Sequence, residues 1–357
     1  MNILDLIKDS STAFTFEVLP PLKGNGIDGL RRTIDRLREF APRYINITNH
    51  RSEYVYGPAP FPQPEGVGEL VVRQRVRRRP GSIAIAAALQ REYGIPLVPH
   101  LLCSGFSRED TEYQLIDMQI LGIENLLLLR GDKAKEDPYY RPTPGGHSHT
   151  TELQGQVNRF NEGWFDDGTR MNHKGTPFHY GVACYPEKHE EAPNLEQDIR
   201  YFKQKVDNGA EYGVTQLFYD NAKYFAFVQR CRDLGINVPI IPGIKPLAKL
   251  SQITVVPRTF RCDFPEPLAH ELLKCRTDED VRHVGVEWCV AQCRELMAHG
   301  VPSLHFYTVS AVESIAEMCG FSDIAYFSRT FKKKVGLSPT AYAASLTAIS
   351  SPAPEQA

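Results

Sequence analysis

Eight short apolar runs recur along the chain, and most carry a polar or charged residue at or near their C-terminal end. They read FTFEVLP (14–20), YINITNH (44–50), IPLVPHLLC (95–103), NLLLLRGD (125–132), HYGVACYP (179–186), VTQLFYD (214–220), VPIIPGI (238–244) and SLHFYTV (303–309). Runs this short, rich in Val, Ile, Leu and aromatics, suit strands buried on both faces, as in a parallel sheet. Between most of them the apolar spacing turns helical. Leu30, Ile34 and Leu37 space one helix. Ser107 with Asp110 starts another that carries Leu115, Met118 and Leu121. Asn194 caps a third with Leu195, Ile199, Phe202 and Val206, Phe225 and Val228 mark a fourth, and 279–299 carries Val281, Val284, Val290, Cys293 and Leu296.

Eight such units predict an α/β fold, a (β/α)8 TIM barrel, whose chemistry sits at the C-terminal ends of the strands. That rule gathers Glu17, Thr48, His100, Asp132, Tyr185 and Gln216 into one candidate site. Two segments, 51–82 and 133–178, read as long irregular loops. Both follow strand C-ends, where lids and cofactor walls belong. After Val309 the pattern changes to two helical stretches broken at Cys319 and Gly320. The expected organisation is a barrel domain over 1–311, a helical fragment over 312–345, and a disordered tail over 346–357.

Composition narrows the function classes. A formal net charge of −2 with 42% hydrophobic residues gives no global reason to expect a nucleic-acid or anionic-membrane partner. No apolar stretch approaches the ~20 residues needed to span a bilayer, and the N-terminus lacks a basic region followed by an apolar core, so a cytoplasmic protein is expected. The eight cysteines form no CxxC pair and read as buried free thiols, not as a metal site or a disulfide framework.

Several motifs admit two readings. GNGIDG (24–29) matches G-x-G-x-x-G, but four residues separate it from the strand and no acid ends the second strand. A glycine-rich turn describes it better than a dinucleotide site. RQRVRRR (73–79) stands without aromatic interleaving and reads as a solvated face or a local anion contact. Glu17, set among apolar neighbours, is either paired to a structural cation or raised in pKa by burial, as a general acid requires. Asp132 follows Arg130 and Gly131, where a glycine lets the backbone approach a ligand; an Arg–Asp pair closing the rim is the alternative. Tyr185 and His189 precede a helix N-terminus, a favourable place for phosphate.

The motifs FEVLPP, PHLLC, LLLLRGD, GVACYPEKHEEA, GVTQLFYD, IIPGIKPL and GVPSLHFYT, in this order over about residues 12 to 309, resemble the methylenetetrahydrofolate reductase family. The resemblance implies a barrel that takes a hydride from NADH or NADPH onto FAD. The hydride then passes to 5,10-methylenetetrahydrofolate, giving 5-methyltetrahydrofolate for methionine synthesis. It implies Glu17 as the catalytic acid and Asp132 beside the flavin and the pterin. Flavin contacts are implied at Thr48, His100, Arg130, Gly131, Tyr185, His189, Ala192, Asp198 and Lys205, and substrate contacts at Gln216 and Gln252. Folate and a nicotinamide are the implied partners, with no membrane and a homo-oligomeric assembly expected.

Some positions depart from the pattern. Asn49 and His50 stand where many members read Tyr and Gly, and Tyr201 and Gln204 replace polar or basic flavin contacts. Val309, Ser310 and Ala311 stand where a substrate-binding basic residue often follows. The stretch VESIAEMCGFSDIAYFSRTFKKKVGLSPTAY resembles the second helix-turn-helix of AraC-type regulators, without the first. The competing expectation is therefore a transcription regulator whose barrel senses a ligand.

Overall fold

The computed structural model describes residues 2–8, 12–59, 70–134 and 137–308. The chain runs α1 (Ile3–Ile7), β1 (Ala13–Val18), α2 (Asp28–Leu37), β2 (Tyr44–Ile47), β3 (Glu53–Pro58), β4 (Val71–Val76), α3 (Ser82–Tyr93), β5 (Leu97–Leu102), α4 (Arg108–Ile120) and β6 (Asn125–Leu129). It continues through α5 (Thr150–Glu162), β7 (His179–Cys184), α6 (Leu195–Asp207), β8 (Tyr212–Thr215), α7 (Asn221–Asp233), β9 (Ile240–Ile241) and β10 (Gly243–Ile244). Last come α8 (Gln252–Phe260), α9 (Glu266–Leu272), α10 (Asp278–Ala298) and β11 (Ser303–Tyr307).

Nine segments form one sheet in the order β10-β11-β1-β2-β5-β6-β7-β8-β9, every pairing parallel. β9 and β10 are two halves of one strand interrupted at Pro242, which has no N–H to donate to a ladder. One half pairs with β8 and the other with β11, so the sheet closes into an eight-stranded barrel. The Pro242 carbonyl still accepts from His305 N at 3.0 Å.

Strands β2 and β5 are buried at every position, as a sheet covered on both faces requires. Outward residues such as Phe16, Ile45, Ile47, Leu126, Leu128 and Val182 pack under the helices. Inward residues fill the floor, where α1 inserts Ile3 and Ile7 among Tyr44, Val98, Leu127, Tyr212, Val214 and Ile241. The Ile3 N–H donates to Asn125 Oδ1 at 3.2 Å, which fastens this plug to the start of β6.

The predicted helices are present with the predicted starts. Ser107 and Asp110 form a capping box, and Asn194 Oδ1 accepts from Gln197 N. Leu121 departs from its expected burial: it follows the end of α4 and is 46% exposed. The two segments expected to be irregular also need correction. Within 51–82 the chain forms the antiparallel hairpin β3–β4, in register from Glu53↔Val76 to Pro58↔Val71. The Arg-rich stretch is largely its second strand, whose burial alternates residue by residue. Within 133–178 lies α5, which buries Leu153, Val157 and Phe160 and ends at Gly163, held at φ +92°. All seven described cysteines are buried, as expected. Among the described residues no helix is long and apolar enough to cross a membrane. The helix-turn-helix fragment and the tail lie outside the described residues.

Candidate active site

Alternation along β1 sends Phe16 and Val18 outward and Thr15 and Glu17 into the barrel. Glu17 sits at the mouth, next to Asn46 of β2 and Tyr307 of β11 in the parallel register. Its side chain is 12% exposed. Two imidazoles face its Oε2: His100 Nε2 of β5 at 3.5 Å and His305 Nε2 of β11 at 3.8 Å. Burial is the largest single influence on the carboxyl and pushes its pKa up. His305, His100 and Lys245 together outweigh it and hold the carboxyl below its ordinary value. The expectation of a raised pKa at Glu17 is therefore corrected, because burial here comes with cationic and hydrogen-bonding neighbours.

The same burial acts in reverse on the bases. The His100 imidazole is pushed down to about 4, with the Glu17 charge only partly offsetting desolvation. His50 is lowered by burial and by Arg79, against the pull of Glu17, Glu53 and Asp132. Its Nε2 lies 3.1 Å from Thr48 Oγ1, which joins these two residues at the end of β2. Lys245, just past β10, is lowered by desolvation and steadied by Glu17.

Across the mouth, the ends of β6 and β7 build a second cluster. Arg130 makes a two-pronged ion pair with Glu191, with Nη2–Oε1 at 3.0 Å, and its guanidinium stacks 4.4 Å from the Tyr140 ring centre. Gly131 adopts φ +81° beside Ser104. Asp132 is exposed at the rim. The Tyr185 and His189 rings meet edge to face at 4.8 Å. The His189 N–H donates to Asp198 Oδ2 at 2.8 Å, and Lys188 Nζ donates to the Ala192 carbonyl at 2.9 Å. Lys188 holds φ +79°, an unusual conformation for a residue with a side chain, and its ammonium ties the turn together. Lys205 Nζ donates to the Ala183 carbonyl at 3.0 Å and lies 6.0 Å from the Tyr185 ring centre; burial lowers its pKa and raises that of Asp198.

The structure thus brings Glu17, Thr48, His100, Arg130, Gly131, Asp132, Tyr185, His189, Ala192, Asp198 and Lys205 to one end of the barrel. Gln216 lies just past β8, with its Oε1 accepting from Leu217 N at 2.9 Å. Gln252 opens α8, and its Oε1 accepts from Ala248 N and Lys249 N, so only its amide hydrogens remain for a ligand. Sequence reasoning missed His305, Lys245 and Lys188. His305 and Lys245 lie inside or beside runs already read as strands, at inward positions that strand alternation could have marked.

A sequence model of the methylenetetrahydrofolate reductase family matches residues 2–322, and one of the AraC-family bacterial regulatory helix-turn-helix proteins matches 308–342. The tail resemblance is thereby supported. Methylenetetrahydrofolate reductase (NADH) 1 of Arabidopsis thaliana is 30% identical over 328 residues, covering 88% of this chain and 49% of that protein. The 5,10-methylenetetrahydrofolate reductase of Pectobacterium carotovorum is 27% identical over 308 residues, covering 85% of this chain and 88% of that one. The chain spans about half the length of the plant relative and most of the bacterial one. Among solved structures, a Clostridium thermocellum protein described as binding two copies of 5-methyl-5,6,7,8-tetrahydrofolic acid shares the fold. Its TM-score is 0.53 at 12% identity, over 91% of this chain and 98% of that one.

Proposed function

The chain belongs to the methylenetetrahydrofolate reductase family, and on that footing we propose that it reduces 5,10-methylenetetrahydrofolate to 5-methyltetrahydrofolate with NADH or NADPH, through FAD. The observation that carries this reading is Glu17, a nearly buried carboxyl at the barrel mouth, faced by two imidazoles and set across from the Arg130–Tyr185–His189 cluster.

FAD, when bound, would supply hydride-transfer chemistry between the nicotinamide and the folate methylene carbon. The residues present fit such a group. Gly131 offers bare backbone beside Ser104, whose Oγ is buried without a hydrogen-bond partner. Arg130 and Lys205 supply positive charge for a diphosphate, while Tyr185 and His189 supply a ring wall. Thr48 and Asp198 sit at the ends of the same cradle.

Glu17 has one chemical task in this reading: it protonates the bridging amine of the folate so that the five-membered ring opens and the methylene becomes an electrophile. Asp132 accepts hydrogen bonds from the pterin at the rim. Gln216 and Gln252 offer amide donors to folate or nicotinamide. The product serves methionine synthesis in the cytoplasm.

An anaerobic titration tests the proposal. Protein loaded with FAD should bleach with NADH or NADPH and regain its colour on adding 5,10-methylenetetrahydrofolate. Failure of the bleached protein to recolour would reject the reading. The helix-turn-helix match favours one competitor, a DNA-binding regulator; salt-dependent, sequence-selective DNA binding by the full chain would support it.

A further inference from the structure

In a barrel of this kind each helix returns outside the sheet to the next strand and covers the seam between the two. The seam between β11 and β1 lies between α10 and α2. α2 meets α3 on one flank, where Arg31 pairs with Glu92 and Arg38 lies over the Tyr93 ring. Gly29, Thr33 and Arg36 lie on the other flank, and with Thr308 they line a cavity of about 1170 Å³. α10 meets α7 through Asn221, whose amide donates to the Gln292 carbonyl at 3.0 Å and to Glu295 Oε2 at 2.7 Å. Val286, Val290 and Met297 lie on the flank of α10 turned away from α7. The two valines are only partly buried, and Met297 is 42% exposed. Between the helices, Phe14 stacks on Phe306 at 6.2 Å and is itself only partly buried.

The described residues end at Thr308, before any helix that would cover this seam. Its N–H and its Oγ1 both donate to the Glu17 carbonyl. In the stretch 312–319, VESIAEMC, Val312, Ile315, Ala316 and Cys319 recur at helical spacing, and Glu313 and Glu317 stand one turn apart beside them. Residues 308–311 give a strand-to-helix connection of ordinary length. On α2, Arg32 and Arg36 also stand one turn apart and line the cavity. The acids of that helix are turned to other partners, Asp28 to Arg31 and Asp35 to Tyr93. The reductase-family and helix-turn-helix models overlap on residues 308–322.

We propose that residues 312–319 seat as a helix in the seam between α10 and α2 and close the barrel. With the apolar face inward, and the helix running down the barrel as α2 does, Glu313 and Glu317 turn toward Arg32 and Arg36. Met318 then turns toward Val286, Val290 and Met297. Both walls are matched by one handedness. The apolar face of this turn is buried once, against the barrel, and is not offered to a second helix as a DNA-binding helix-turn-helix requires. The first half of the regulator likeness therefore serves the barrel, and through Thr308 it steadies the backbone of Glu17. This seating stands or falls independently of the reductase reading.

Hydrogen exchange of the full chain tests it. Amides of 316–319 should be protected, to a degree independent of protein concentration. Ile315→Ser should speed exchange there and along Gly29–Arg36 of α2 by about tenfold or more. Val290→Ser, on the opposite wall, should loosen 316–319 in turn. Glu317→Lys should act in the same direction by less, and it serves if Ile315→Ser does not fold. Unprotected amides at 316–319, or an α2 unmoved by a folded Ile315→Ser, would overturn the seating. Protection that rises with protein concentration would give the seam to a second copy and overturn it as well. An equal loosening of α2 by Ile324→Ser would show that another stretch fills the seam. Sequence-selective DNA binding by the intact chain, with α2 exchange unchanged, would overturn the exclusion of DNA.

Discussion

Gly131 faces Ser104 so closely that a Cβ at residue 131 would lie 2.2 Å from Ser104 Oγ. Its backbone sits at φ +81°, which glycine adopts freely and other residues adopt at a cost. The glycine between Arg130 and Asp132 is thus required by geometry before any ligand is considered.

Gly131→Ala should therefore destabilise the fold by about 1–3 kcal/mol and weaken FAD retention. Differential scanning calorimetry and fluorescence titration of the flavin measure the two effects. A melting temperature equal to wild type would show that the Ser104 contact relaxes freely.

Glu17→Gln should separate the two halves of the proposed reaction. The folate half-reaction should fall by roughly 100-fold or more, while the nicotinamide should still bleach the bound flavin. Full folate turnover by this variant would remove Glu17 from the acid role.

Acid sensitivity should trace in part to His100. Its folded value of about 4 lies below the ordinary 6.5, so the unfolded chain binds a proton that the folded chain refuses between these values. Stability from keeping this ring neutral is complete above about 6.5 and is lost as pH falls toward 4, amounting to roughly 3 kcal/mol. Glu17, lowered in the fold, acts in the same sense, and its contribution drops away as pH falls below its ordinary 4.5. Urea unfolding of His100→Asn at pH 6.5 and 4.5 should show a flatter pH dependence than wild type; an identical slope would contradict the assignment.

Ile3→Ala should cost about 2–5 kcal/mol, because Ile3 is 0% exposed within the barrel floor. The loss should appear in the denaturant midpoint with little change in flavin binding, since the plug lies at the end opposite the mouth.

Much of the barrel was legible in the sequence because parallel strands buried on both faces must be short apolar runs. Their polar ends marked Glu17, Thr48, His100, Asp132, Tyr185 and Gln216. The hairpin β3–β4 was hidden because its arginines drew attention to charge and away from their period of two. Helix α5 was hidden by the Pro, Gly and His around it, although Leu153, Val157 and Phe160 carry helical spacing. The direction of the Glu17 shift could not be read locally. It depends on His100, His305 and Lys245, which come from distant strands and are brought to one carboxyl only by closure of the barrel.

The plug at the barrel floor also constrains the order of assembly. Residues 3–7 lie against Tyr212 and Ile241 as well as Tyr44, and β1 completes its pairing only with β11. During synthesis this turn emerges before the strands it packs on and finds its full set of neighbours only after most of the barrel has left the ribosome. These contacts span nearly the whole described chain, so their closure entropy must be met before they stabilise anything. The plug is made before the strands that receive it and seated late, and until it docks, its apolar side chains remain available to a chaperone or to another unfinished copy.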